Sequence, residues 1–174
     1  MRIGIYGGTF DPIHFAHLHA IAYAFENAKL DLCRVIVARD PWQKPEVKAD
    51  AQKRFRWTQL GVEEFFPDNK NIIVDDCEIK RDGNTYTIDT INELKHKYPN
   101  DDLVLIVGDD IPENFNTWKD HDQIIKLCEL FIVSKSIMPI SSTYIRKQLL
   151  EGKTVRALIP KSIENDIILN NFYT

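Results

Sequence analysis

A chain of 174 residues with 44% hydrophobic composition can bury one core of ordinary size but is short for two, so a single domain over residues 1–174 is expected, its C-terminal part from about residue 141 being helical. With 22 basic and 26 acidic residues the formal charge is −4, which excludes a general footprint for nucleic acid or an anionic membrane and requires that positive charge for any polyanionic substrate be gathered locally. Cys33, Cys77 and Cys128 fit no disulfide framework or paired-cysteine zinc site and read as buried thiols; with no signal-peptide run and no apolar run near the roughly 20 residues that cross a bilayer, a cytoplasmic protein is expected.

The first apolar run, residues 3–6, has the composition of a strand buried on both faces. Directly after it stands Gly7-Gly8-Thr9-Phe10-Asp11-Pro12-Ile13-His14-Phe15-Ala16-His17. Paired glycines let backbone N–H groups approach a phosphate, and a helix starting at the histidines directs its positive end at the same point. Leu18, Ile21, Ala22 and Phe25 mark that helix by their i, i+3, i+4, i+7 spacing. His14 and His17 then lie on one side of its first turn, where each can donate to phosphate oxygens and offset growing charge. A plain turn with surface histidines is the commoner arrangement. A metal site at His14, His17 and His19 is a third reading, but no cysteine is near and only the first two are in helical register. The strand-loop-helix context favours phosphate, and no metal ligand is assigned.

A second strand is expected at residues 34–38, followed by the loop Asp40-Pro41-Trp42-Gln43-Lys44-Pro45, where Lys44 by itself reads as solvated surface. A long helix covers residues 49–66 and a third strand residues 71–74. After Gly83, Thr85-Tyr86-Thr87 opens a helix carried by Ile88, Ile91, Leu94 and Tyr98 and stopped by Pro99. Hydroxyl and backbone donors at this entrance suit a small carboxylate, and capping by Thr85 or Thr87 explains them equally well. The fourth strand, residues 103–107, leads into Gly108-Asp109-Asp110 and then Trp118 among Asn114, Asn116 and Lys119. A core tryptophan is the ordinary assignment, but the polar strand-end loop favours a site.

A fifth strand at residues 130–133 is joined by a few residues to Ile140-Ser141-Ser142-Thr143-Tyr144-Ile145-Arg146, which begins a helix over 141–150 closed by Gly152. An N-cap needs one hydroxyl. Three hydroxyls and an arginine fork one turn later suit the outer phosphates of a nucleotide. The alternation predicts an α/β fold: a doubly wound, mostly parallel, five-stranded Rossmann-like sheet with helices on both faces and a C-terminal helical extension, its ligands beyond the carboxyl ends of the strands.

The two segments resemble the paired signatures of the His-x-Gly-His nucleotidyltransferase superfamily, with Ala16 where glycine is usual. The resemblance implies that Gly7, Gly8, Thr9, Phe10, His14, His17, Gly108, Asp110, Ser141, Ser142, Thr143 and Arg146 bind ATP, and that His14, His17, Lys44 and Arg146 carry catalysis. Across nearly the full chain the loops further resemble bacterial nicotinate (nicotinamide) mononucleotide adenylyltransferase, which implies an acceptor site of Asp11, Lys44, Thr85, Tyr86, Thr87 and Trp118, the last stacking on the pyridine ring. The implied partners are ATP, with Mg2+ carried on its triphosphate, and nicotinate or nicotinamide mononucleotide; a homo-oligomer is left open. The connection before Ile140 is shorter than that family usually has and lacks a sheet segment found there. Rival readings are pantetheine-phosphate adenylyltransferase, another small-molecule nucleotidylyltransferase, and a non-catalytic nucleotide sensor, but acceptors that are not flat pyridines give no reason for Tyr86 and Trp118 together.

Overall fold

The computed structural model describes residues 1–41, 47–111, 113–134 and 138–173. The apolar runs become β1 (Arg2–Gly8), β2 (Leu32–Val37), β3 (Ile72–Asp75), β4 (Asp102–Gly108) and β5 (Cys128–Val133), all paired in parallel in the order β3-β2-β1-β4-β5. Side chains alternate across a strand, so each strand feeds two cores. Val35, Val37, Val104 and Ile106 point to one face. There they meet α1 (Phe15–Asn27), α2 (Ala51–Phe65), α6 (Ser142–Leu150) and α7 (Lys161–Leu169). Ile3, Ile5, Leu103 and Leu105 point to the other, under α4 (Thr87–Lys97) and α5 (His121–Leu127). Each buried aliphatic side chain contributes about 1.5–3 kcal/mol.

The short α3 (Cys77–Lys80) and the seven-residue α5 are elements that periodicity does not announce, because each buries a single anchoring residue, Ile79 and Ile124. Cys33 and Cys128 are buried, whereas Cys77 is only half-buried at the start of α3, a correction to the reading of all three as buried; all are free thiols. Their surroundings push the thiols up, Cys33 and Cys77 to about 12 and Cys128 to about 11, with burial the main cause in each. Gly152 has φ +69°, and the bonds from Gly152 N–H to Leu149 O and from Lys153 N–H to Gln148 O close α6 as a Schellman turn, a conformation that a Cβ would strain. Helix α7 lies on α2, where Trp57 Nε1 donates to Asp166 at 2.8 Å and Ile163 and Ile167 complete the packing.

After β1 the chain moves outward to β2 and β3, then crosses back to β4 and β5 on the other side of β1. Loops leaving the carboxyl ends of β1 and β4 therefore diverge to opposite faces, and a crevice opens between them.

Candidate active site

That crevice is a cleft of about 1480 Å3, larger than the roughly 300–1,000 Å3 that serves one small ligand. It runs from α1 and the start of α6 on one side to the entrance of α4 and Trp118 on the other.

The floor is the end of β1. Gly7 and Gly8 still pair with Ile36 and Val37 of β2, so both belong to the strand and not to the loop after it, contrary to the sequence reading. Open space of at least 4 Å lies where a Gly7 Cβ would project, whereas one at Gly8 would stand 2.6 Å from the Phe10 ring. Gly7 leaves room for a ligand beside the backbone; Gly8 leaves room for Phe10. The Asp11-Pro12 peptide is cis, and the turn delivers His14 to the N-cap of α1. The rings of His14 and His17 stack with centroids 3.6 Å apart. The His14 backbone N–H donates to His17 Nδ1 at 3.3 Å, which leaves the neutral ring's proton on Nε2 as a donor. His14 is buried and His17 half-buried, both on the cleft wall with Ala16.

The opposite signature docks directly on this turn. Ser141 caps α6 by accepting from Tyr144 N–H at 3.2 Å, Ser142 Oγ donates to Pro12 O at 3.0 Å, and Arg146 Nη1 donates to Asp11 O at 2.8 Å. Arg146 Nη2 reaches Thr143 Oγ1 at 3.3 Å, so the fork and the three hydroxyls share one edge of the cleft. Segments some 130 residues apart in sequence thus form one continuous run of donors.

Asp11 is 2% exposed. Its carboxylate accepts from Lys48 N–H at 2.8 Å, from Ala49 N–H at 3.1 Å and from the Tyr173 hydroxyl, and lies 3.6 Å from Arg146 Nη1. Protein donors therefore surround the group that resemblance assigns to the acceptor. Lys44 lies outside the described residues.

Across the cleft, Gly108 ends β4 and Asp110 follows, exposed. Tyr86 is the N-cap of α4 and neither Thr85 nor Thr87 caps it; Thr85 is buried, and all three line the cleft. Lys119 Nζ stands 4.5 Å from the Tyr86 ring centroid and 3.6 Å from Asp89. Trp118 is half-buried, packed on Phe115 with centroids 5.4 Å apart, and its remaining surface lines the cleft.

Two groups here went unremarked in the sequence. Arg54, 1% exposed, donates to the carbonyls of Thr9, Ala38, Arg39 and Ala49 at 2.6–3.0 Å and so ties the exits of β1 and β2 to α2. Its one legible signal is a charge on the apolar face of α2, beside Trp57 and Thr58. Glu78 lines the cleft and accepts from Thr90 Oγ1 at 2.7 Å; burial pushes its carboxyl up.

A model of the cytidylyltransferase-like family matches residues 5–148. A probable nicotinate-nucleotide adenylyltransferase of Thermus thermophilus is 35% identical over 190 aligned positions, covering 99% of this chain and all of that one. Its counterpart in Borrelia garinii subsp. bavariensis is also 35% identical, over 99% of this chain and 95% of its own. Among solved structures, the Plasmodium falciparum nicotinic acid mononucleotide adenylyltransferase complexed with NaAD superposes with a TM-score of 0.80 over 99% of this chain and 97% of that one; at 20% identity this likeness concerns the fold.

Proposed function

The chain belongs to the cytidylyltransferase-like family and, within it, to the nicotinate-nucleotide adenylyltransferases, and on that premise we propose how its cleft transfers the adenylyl group of ATP to nicotinate mononucleotide in NAD biosynthesis. The observation that carries the reading is the docking of Ser142 and Arg146 on the Asp11-Pro12 turn, which joins the donors of both signatures along one wall. The flat ring surfaces of Tyr86 and Trp118 lie across the same cleft.

An oxygen of the acceptor phosphate bonds to the α-phosphorus of ATP as the bond from that phosphorus to the bridging oxygen breaks, and pyrophosphate leaves with the electron pair. No covalent enzyme intermediate and no net proton transfer are needed, so positioning and charge neutralisation supply the rate. His17 Nε2–H and His14 offset charge gathering on the leaving group, the α6 hydroxyls and Arg146 hold the distal phosphates, and Trp118 stacks on the pyridine. Among the described residues no three His, Cys, Asp or Glu side chains converge as a metal cage. A magnesium ion carried with ATP would be held by triphosphate oxygens and water and would screen charge on the leaving group. No helix among the described residues is long and apolar enough to cross a membrane, and three free thiols suit a reducing, cytoplasmic setting.

Turnover with ATP and magnesium, measured in parallel for nicotinate mononucleotide, nicotinamide mononucleotide and phosphopantetheine, tests the assignment. Pyrophosphate and a dinucleotide are expected with nicotinate mononucleotide; turnover with phosphopantetheine alone would overturn it.

A further inference from the structure

We propose that Tyr173 is a positioning residue for the triphosphate: by hydrogen-bonding Asp11 it keeps the carboxylate from capturing Arg146, leaving that guanidinium turned to the cleft. The inference rests on the adenylyltransferase reading only in naming ATP as the anion.

Four groups compete around Asp11. Oδ1 receives the Tyr173 hydroxyl and Ala49 N–H; Oδ2 receives Lys48 N–H at 2.8 Å and faces Arg146 Nη1 at 3.6 Å, beyond hydrogen-bond range. Arg146 instead donates Nη1 to the Asp11 carbonyl and directs Nη2 toward Thr143 on the cleft edge. The near-miss has chemical significance. A buried carboxylate and a guanidinium with no other donors present close to a bidentate pair at about 2.7–2.9 Å, which would occupy the edge that a phosphate needs. Three neutral donors on Asp11 weaken that pull, and Tyr173 is the one supplied by a side chain.

The surroundings hold the phenol to this task. Its ring packs on Trp57 at 5.6 Å and on Phe172 at 4.9 Å, and Tyr173 sits at φ +63°, a backbone setting that the packing must maintain. Burial and the neighbouring Asp11 keep the hydroxyl protonated far above the usual tyrosine range, so it remains a donor wherever the enzyme works. The segment after α7 thereby reaches back to the turn between β1 and α1.

The test is Tyr173→Phe in the full chain, which keeps the ring and removes the donor. ATP affinity is measured by calorimetry without acceptor, beside both Michaelis constants and the melting temperature. The expected result is an ATP Kd and KM raised about 3- to 10-fold, the worth of one hydrogen bond, with the acceptor KM and the melting temperature nearly unchanged. In an Arg146→Ala background the same substitution should leave ATP affinity unaltered, because the group acted upon is gone. Unchanged ATP affinity in Tyr173→Phe overturns the proposal. So does a fall in melting temperature with equal loss toward both substrates, since that marks a packing role. Failure of the wild type to use nicotinate mononucleotide would sink the functional assignment, while the calorimetric comparison would still decide the role of Tyr173.

Discussion

His17 and Trp118 show how far a single side chain's role depends on its two sides. The His17 ring is fixed on one side by the His14 N–H and the stacked His14 ring and meets the cleft on the other. His17→Ala should therefore lower kcat by about 10²–10³, the loss of one donor to developing charge, with ATP binding and melting temperature little changed; near-normal turnover in the folded variant would remove His17 from the catalytic set. Trp118 shares itself between Phe115 and the cleft. Its truncation to alanine should raise the acceptor KM by the equivalent of about 0.5–1.5 kcal/mol for lost aromatic pairing plus any lost apolar contact, and phenylalanine should restore most of it. A parallel rise in the ATP KM with a large stability loss would instead make Trp118 part of the core. Neither histidine stacking nor the partition of Trp118 is visible in residue spacing, which fixes the side of a helix a residue occupies but not the ring it meets.

At the scale of elements, α7 has no capping side chain of its own, since its N-cap is Pro160. The Glu64 carboxylate on α2 takes the first amides instead, accepting from Lys161 and Ser162 N–H at 2.9 Å each. Burial alone would push this carboxyl up, but donors on Ser162 and Lys161 outweigh it and hold the group below its ordinary value of 4.5. A depressed folded-state pKa means that the contribution is complete above about pH 4.5 and disappears as pH falls through the lower folded value. Glu64→Gln should accordingly lower the melting temperature at pH 7, where the charged cap contributes fully, and leave it nearly unchanged at pH values below the folded pKa, so that the acid limb flattens; an unchanged acid limb would refute the remote cap. The sequence alone indicates only a helical C-terminal part, because the donor-acceptor match between Glu64 and the start of α7 joins residues nearly 100 positions apart.

For the whole molecule, the cleft draws its walls from elements on both faces of the sheet, so a ligand there bridges both cores. ATP at 100 times its dissociation constant should stabilise global unfolding by about 2.7 kcal/mol, a rise in Tm of roughly 5–11 °C for a domain of this size. Arg146→Ala should lose most of that rise at the same ATP concentration. An ATP-insensitive melting curve in the wild type, measured by calorimetry, would contradict the site as drawn.

The order of the strands, the helices α1, α2, α4 and α6, the glycine and hydroxyl segments that line the cleft and the Thr85-Tyr86-Thr87 entrance were readable in the chain itself. Their signals are local: apolar runs, helical spacing, and glycine or hydroxyl residues at element ends. The polar strand-end loop around Trp118 pointed to a site instead of the core, and the structure shows Trp118 half-buried with its remaining surface on the cleft wall. Tertiary structure alone decided that Arg54 would hold four carbonyls of three separate segments, that protein donors would surround Asp11, and that Tyr173 would close on that same carboxylate. Such contacts follow from where a parallel sheet sends its crossovers. A buried charge must find partners in space, and the partners' distance along the chain leaves no trace in local pattern.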